Sequence, residues 1–501
     1  MTTDVADRTG SRLLARNSAL NLLGWVLPMA VALVTVPLLI RGLGTERFGI
    51  LTVAWVVLGY FSLFDMGVGR ALTKVVSERL GTRHAGDLPA LVWTALLLMF
   101  LLGLAGAATL ALVTPWLVGG VLKISAEHEA ETRYAFYLLA FSLPWVISTT
   151  GFSGILEANQ RFGLVSGLRV PIGLFTYLSP LAVLPFSHSL VPVVALLVVG
   201  RLLAWGGYLA ACLHVLPVLR RRMAVEWGQV RGLVQLGGWM TVSNVVSPLM
   251  TYFDRFLIGG LISMAAVAYY VTPYELVTKL LLVPNAMFGV LFPALAATFA
   301  TDRTRTELLL GRGVRVLFLV MFPATLVIVT LAGEGMTLWL GSEFAGHSAG
   351  VLRWLAVGVF VNCLAQAPFS LIQGAGRPDI TGKLHLVELP LYAAAILLLS
   401  RAFGLEGVAM AWVLRVVVDT AVLYAAAGRF LPNGSALVWS TARLVALAAP
   451  LYWVGVVLEG LGVRLLYLAA TLLLFGLFGW YRVLEPAERA VLQRRRPALE
   501  V

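Results

Sequence analysis

The sequence predicts an all-α polytopic membrane protein of about 14 transmembrane helices, and three observations carry that prediction. Hydrophobic residues fill 59% of the 501 positions and charged residues only 12%, with a mean hydropathy of +0.89. Soluble domains sit nearer half apolar and a quarter charged, so this excess is not one large soluble core. The apolar residues fall in continuous runs of about 20, the length a helix needs to cross the hydrocarbon. A membrane β-barrel would instead alternate apolar and polar residues along each strand. The basic residues, finally, gather in the connections between runs rather than inside them.

In chain order, a polar segment (1–16) with Arg8, Arg12 and Arg16 precedes the first apolar run. That run is long for a signal-peptide core, and Arg41-Gly42-Leu43-Gly44 is no cleavage site, so it reads as a retained helix. Spans are expected near 17–40, 48–69, 90–113, 134–156, 163–186, 190–216, 233–258, 265–298, 313–332, 351–373, 380–400, 405–428, 436–457 and 463–481. With the N-terminus inside, alternate connections hold Arg70/Lys74/Arg79/Arg83, Arg161/Arg169, Arg220/Arg221/Arg222/Arg231, Arg303/Arg305/Arg312/Arg315, Arg377/Lys383 and Arg429/Arg443. The tail adds Arg482, Arg489, Arg494, Arg495 and Arg496. About 26 of the 37 lysines and arginines then lie on one side, about 7 on the other and about 4 within spans, which puts both termini in the cytoplasm. Topology thus accounts for the net charge of +12, and no nucleic-acid partner is expected. The connection 114–133 is expected to hold a short interfacial helix, and the tail from Glu485 a basic amphipathic one.

Cys212 and Cys363 lie in apolar runs, and the six histidines lack ligand spacing, so no disulfide framework or metal centre is expected. There is no Walker A motif and no hydrolase or metal signature, so this chain is not expected to use ATP or a cofactor. A membrane glycosyltransferase or polymerase would need an acidic catalytic site and, commonly, a large outside loop.

The segment Gly237–Ala294 concentrates the unusual features: two long apolar helices around a Gly/Ser turn, with Asp254 and Arg255 on the first and Glu275 and Lys279 on the second. A charge at the bilayer centre costs about 3 kcal/mol or more, so such residues face a bundle interior or a hydrated cavity. A faint repeat pairs Trp25, Pro28 and Pro37 with Trp239 and Pro248, about six spans later; in transporters such repeats flank the substrate site.

The opening hairpin carries a Pro-containing first helix, Leu43-Gly44-x-Glu46-x-Phe48-Gly49, and Asp65-x-Gly67-x-Gly69 before a basic connection, and in these it resembles bacterial polysaccharide exporters, the Wzx-type O-antigen flippases. The second half adds Trp239-x-x-x-x-Asn244, Pro248, Asp254-Arg255, Tyr269-Tyr270, Lys279 and Phe292-Pro293. The resemblance covers roughly 12–430, and lipid II flippases and cation-coupled multidrug exporters share the fold. It implies two pseudo-symmetric six-helix lobes (17–216 and 233–428) around a central cavity, a basic linker (217–232), two extra helices (429–481) and a cytoplasmic tail (482–501). It further implies alternating-access export of undecaprenyl-diphosphate-linked oligosaccharide across a bacterial cytoplasmic (inner) membrane, with membrane lipids, a polysaccharide polymerase and export machinery as partners.

Given such a cavity, Arg255, Lys279, Arg201 and Arg415 are candidate cationic ligands, and Asp65, Asp254, Glu275, Glu388 and Asp419 are candidates for ion coupling or gating. Each has a structural alternative. Arg255 matches a diphosphate bidentately or holds one helix to its neighbour. Glu275 and Lys279, four apart, form either a self-neutralised pair or a proton and phosphate site. Arg415 and Asp419 share that spacing in reverse order, which suggests a structural pair. Arg201 and Glu388 have no local partner. Asp65 is either an inner gate or a helix-end charge. Tyr252, Tyr269, Tyr270 and Tyr274 suit either sugar stacking or an interfacial aromatic belt.

Overall fold

The computed structural model describes residues 11–61, 68–81, 88–221, 223–226, 228, 252–483 and 489, and among them no strand occurs. Ten helices there are long and apolar enough to cross a membrane, and Leu27–Leu43 adds a shorter apolar stretch. The protein is multi-pass. The chain divides into two compact units, Met1–Ala268 and Tyr269–Val501.

The first unit contains α1 (Ser11–Leu43), α2 (Thr45–Phe61), α3 (Val68–Gly81), α4 (Leu88–Trp116), α5 (Ala126–Ala158), α6 (Phe162–Val183), α7 (Leu190–Val215) and α8 (252–261). α9 (Met264–Thr278) starts in it and runs on into the second. Arg70, Lys74 and Arg79, read from the sequence as a loop, lie on helix α3. The reason is visible in the spacing: Val68, Ala71, Leu72 and Val76 share one face and are buried against Leu88, Leu91, Val92 and Ile155.

The connection 114–133 is also corrected. After Pro115 the chain makes one π-helical turn, Leu117–Val121, closed by Leu122 N–H donating to the Leu117 carbonyl at 2.8 Å. No separate interfacial helix follows, because Ala126–Arg133 forms the first turns of α5, with Glu129 and Arg133 paired at 2.7 Å. The turn is tied down by Lys123, whose backbone N–H and Nζ donate to the carbonyls of Gly259 (2.9 Å) and Leu261 (2.5 Å) at the C-terminal end of α8. A cation there satisfies carbonyls the helix leaves open. At the α1–α2 turn, Gly44 takes φ +82°, and Arg47 beside it pairs with Glu131 at 3.1 Å. Glu131 also accepts from Leu190 N–H at the start of α7, so one carboxylate fixes three helix ends.

The second unit contains α10 (Leu282–Thr301), α11 (Arg303–Thr330), α12 (Ala332–Leu340), α13 (Ser342–Gly374), α14 (Pro378–Gly428), α15 (Gly434–Val457) and α16 (Leu461–Phe478). Between α9 and α10 lies a 3₁₀ turn, Lys279–Leu281. Pro284 explains it: proline has no N–H for the Leu280 carbonyl, and its ring crowds that turn. The two C-terminal helices pack on α11 through rings, with Phe322 at 4.8 Å from Phe475 and 5.5 Å from Tyr452. The Tyr452 hydroxyl also meets Thr325 Oγ1 at 2.6 Å.

α14 is two arms joined at Gly404, whose φ 58° and ψ −133° interrupt the helix. Only glycine adopts that backbone without strain. The Gly404→Ala substitution is therefore expected to cost about 1–3 kcal/mol. Gly382→Ala, in a helical position with open space around a new Cβ, should instead stabilise by about 0.5–1 kcal/mol. Thermal unfolding of the two variants in one detergent tests the contrast, and equal melting temperatures would contradict it.

Candidate functional site

Charged side chains inside spanning helices mark the candidate functional positions of each unit. In the first unit, Asp254 and Arg255 are both buried, at 1% and 3% exposure. Neighbours on a helix project about 100° apart. The Arg255 guanidinium stacks over the Tyr252 ring at 4.9 Å, so that ring serves as a cation–π partner. Arg201, on α7, lines a cavity of about 210 Å³ bounded by α5, α6 and α7.

In the second unit, Glu275 and Lys279 form an ion pair at 3.0 Å, with 42% and 37% of their side chains exposed. An exposed pair of this kind contributes little to stability. The tyrosines are engaged in packing. Tyr269 stacks on His347 at 4.5 Å and meets Phe344 edge-on at 4.8 Å. Tyr270 is fully buried, and Tyr274 stands edge-on to Trp412 at 5.9 Å.

The densest constellation in the second unit lies on the two arms of α14. Glu388 on the first arm and Asp419 on the second are buried, and with His385 their ligand atoms all fall within 4.8 Å of one another. The Glu388 and Asp419 carboxyl groups lie within reach of each other, and among the described residues no third group hydrogen-bonds to either Glu388 oxygen or to Asp419 Oδ1. Arg415 does not close the expected ion pair with Asp419. Its guanidinium lies over the Tyr392 ring at 5.5 Å, within electrostatic reach of both carboxylates, and its Nε is unsatisfied. The turn at Gly404 returns the second arm beside the first and brings Glu388 and His385 up to Asp419. With both carboxylates ionised, Arg415 charged and His385 neutral, the cluster carries one net negative charge. One proton or one monovalent cation balances it; a divalent ion overshoots by one charge. The sequence reading missed His385, although His385-x-x-Glu388 is an i, i+3 pair on one helical face. Asp65, Trp239, Asn244 and Pro248 lie outside the described residues.

Removing Arg415 strands two buried carboxylates, whereas removing Glu388 relieves one. Arg415→Leu is expected to destabilise by about 3 kcal/mol or more, and Glu388→Gln by far less. The double variant should recover most of the loss. Thermal unfolding of the three proteins at pH 7 checks this; additive losses in the double variant would show that the groups do not interact.

A family model described as "Polysaccharide biosynthesis protein" matches residues 14–299. Among curated relatives, a putative O-antigen transporter of Shigella flexneri is 30% identical over 81% of this chain and 96% of its own length. The lipopolysaccharide biosynthesis protein WzxC of Escherichia coli K12 is 22% identical over 80% of this chain and 77% of its own. Of solved structures, the lipid II flippase MurJ in an inward closed conformation aligns with a TM-score of 0.70 at 12% identity, covering 92% of this chain and 98% of that one. An inward-facing multidrug transporter of the MATE family aligns at 0.65 and 15%, covering 84% and 99%. At such identities the structural likeness bears on fold alone.

Proposed function

Because the chain belongs to the polysaccharide biosynthesis protein family, we propose that it is a flippase for lipid-linked oligosaccharide. It carries an undecaprenyl-diphosphate-linked repeat from the cytoplasmic to the outer leaflet of a bacterial inner membrane, by alternating access and without ATP. Both termini lie in the cytoplasm, and a polymerase and export machinery take up the product. The observation that best supports a transporter with a coupling step is the buried cluster of His385, Glu388 and Asp419, which holds more negative charge than Arg415 offsets. Intramembrane ionisable residues of this kind mark ion or substrate pathways. Glu388 and Asp419 exchange a cation during the cycle. Arg255 and Lys279 are the basic groups we assign to the diphosphate, Lys279 by exchanging its Glu275 partner for it, and Asp254, Glu275 and Asp65 remain the further gating candidates.

An inside-negative potential assists outward movement of an anionic head group by about 2.3 kcal/mol per charge per 100 mV. Basic ligands that travel with the head group cancel that drive. A cation returning through the carboxylate cluster restores it, which gives the cluster a reason to be part of the cycle.

Depletion of the protein should cause lipid-linked glycan to accumulate where an impermeant glycan label reaches it only after lysis. Glu388→Gln and Asp419→Asn, expressed at wild-type level, should each slow restoration of surface glycan at least about tenfold. Accumulation already accessible in intact cells would place the protein after flipping. Failure of the intermediate to form would place it before, as a glycan-building enzyme. An unchanged glycan pool with altered drug sensitivity would identify a solute exporter.

A further inference from the structure

The cavity between α5, α6 and α7 has a lining unlike that of an apolar packing gap: Arg169, Arg201, Tyr208, Thr149, Thr150 and Ser153 all contribute to it. Arg201 sits near the middle of α7, in an otherwise apolar run. Among the described residues no hydrogen bond or ion pair reaches it. A guanidinium in that position calls for an anion.

The helix cannot turn the charge away. Gly200 lets α7 press against the Phe175 ring of α6, and a Cβ at Gly207 would touch Leu168 at 3.2 Å. On the α5 side, the Trp205 indole N–H donates to Ser148 Oγ at 3.0 Å, and the Trp205 ring meets Trp145 at 5.0 Å. α7 is therefore fixed on both flanks of Arg201.

The local countercharge is too small. Glu157 lies 3.5 Å from Arg169 and also accepts from Ser153 at 3.2 Å. Two guanidiniums against one carboxylate leave one positive charge. The hydroxyls define the rest of the ligand. Thr149 and Thr150 donate to the carbonyls of Trp145 and Ile147, each at 2.7 Å, so toward a ligand they can only accept. The anion must take its hydrogen bonds from arginine, and hydroxyls on the ligand can donate to the threonines. About 210 Å³ is too large for a single halide, given about 30 Å³ per water.

We propose that this cavity binds one hydroxyl-bearing phosphate ester of single negative charge, the chemistry of a phosphoglycerol lipid head, with Arg201 and Arg169 as the phosphate ligands. The site does not depend on the flippase reading, and its test uses purified protein alone. Full-length protein is delipidated in detergent and titrated with phosphatidylglycerol, or separately with inorganic phosphate, following retention by native mass spectrometry and protection against thermal unfolding. Wild type should retain one phosphatidylglycerol. Arg201→Gln should weaken that binding at least about tenfold, the equivalent of one lost charge-assisted contact. Arg169→Gln should act in the same direction. Leu203→Ala, an exposed position on the same helix, should leave binding unchanged. Protection by phosphatidylglycerol alone assigns the ligand to a lipid; protection by inorganic phosphate as well, lost in Arg201→Gln, assigns it to the free anion. Wild-type retention of phosphatidylglycerol by folded Arg201→Gln and Arg169→Gln proteins would overturn the proposal.

Discussion

In hydrocarbon there is no water to complete a hydrogen bond or screen a charge. Every backbone group must be satisfied along its own helix, and every ionised side chain must be balanced by a neighbour. Much of what distinguishes this chain from a set of featureless apolar rods follows from that rule. The 3₁₀ turn at Lys279–Leu281 accommodates Pro284, and the π-turn at Leu117–Val121 closes the end of α4 with its own Leu122-to-Leu117 bond. Thr94, Thr114, Ser148 and Thr420 satisfy their hydroxyls by donating to carbonyls three or four residues back. Among the described residues, the charged groups left unbalanced under this rule are the informative ones.

Two such groups have opposite sign. In the first unit, Glu157 is the carboxylate that meets Arg169 and Arg201 has no ion-pair partner among the described residues, leaving a positive surplus there beside a cavity. In the second, Glu388 and Asp419 outnumber Arg415, leaving a negative surplus in a tightly packed core. The first has room for a head group, and the second has room for a proton or a small ion. Asp254 and Arg255 bring both signs to one buried turn, and Glu275 and Lys279 neutralise each other at a partly exposed one. Mere presence of charge in an apolar run does not separate these cases. What separates them is whether the tertiary structure delivers a partner.

That distinction also marks what was legible in the sequence. Continuous apolar runs identified the all-α membrane class, because that signal is summed over many residues. The break near residue 404 could be read as well, since Gly404 interrupts an apolar run that is too long for one crossing. Basic α3 was misread because Arg70, Lys74 and Arg79 masked the spacing of Val68, Ala71, Leu72 and Val76. The i, i+4 rule suggested an Arg415–Asp419 pair, but that rule describes an isolated helix. Here a second arm brings Glu388 into competition and Tyr392 takes the guanidinium face. The cavity around Arg201 could not be read from the sequence. It depends on how closely Gly200 and Gly207 admit α6, which only the packing reveals.

The hinge at Gly404 bears on how the protein enters its membrane. Each arm of α14 alone would present hydrocarbon with an ionised group, Glu388 on one and Arg415 with Asp419 on the other, at roughly 2.5–3.5 kcal/mol apiece on insertion scales. Folded back on a single glycine, the arms present a mixed and largely compensated cluster instead. Inserting the two arms together as one hairpin therefore costs less than inserting either alone. A change at Gly404 that opened the hairpin would then be felt during synthesis, as failed integration of both arms, before any folded protein existed to be tested.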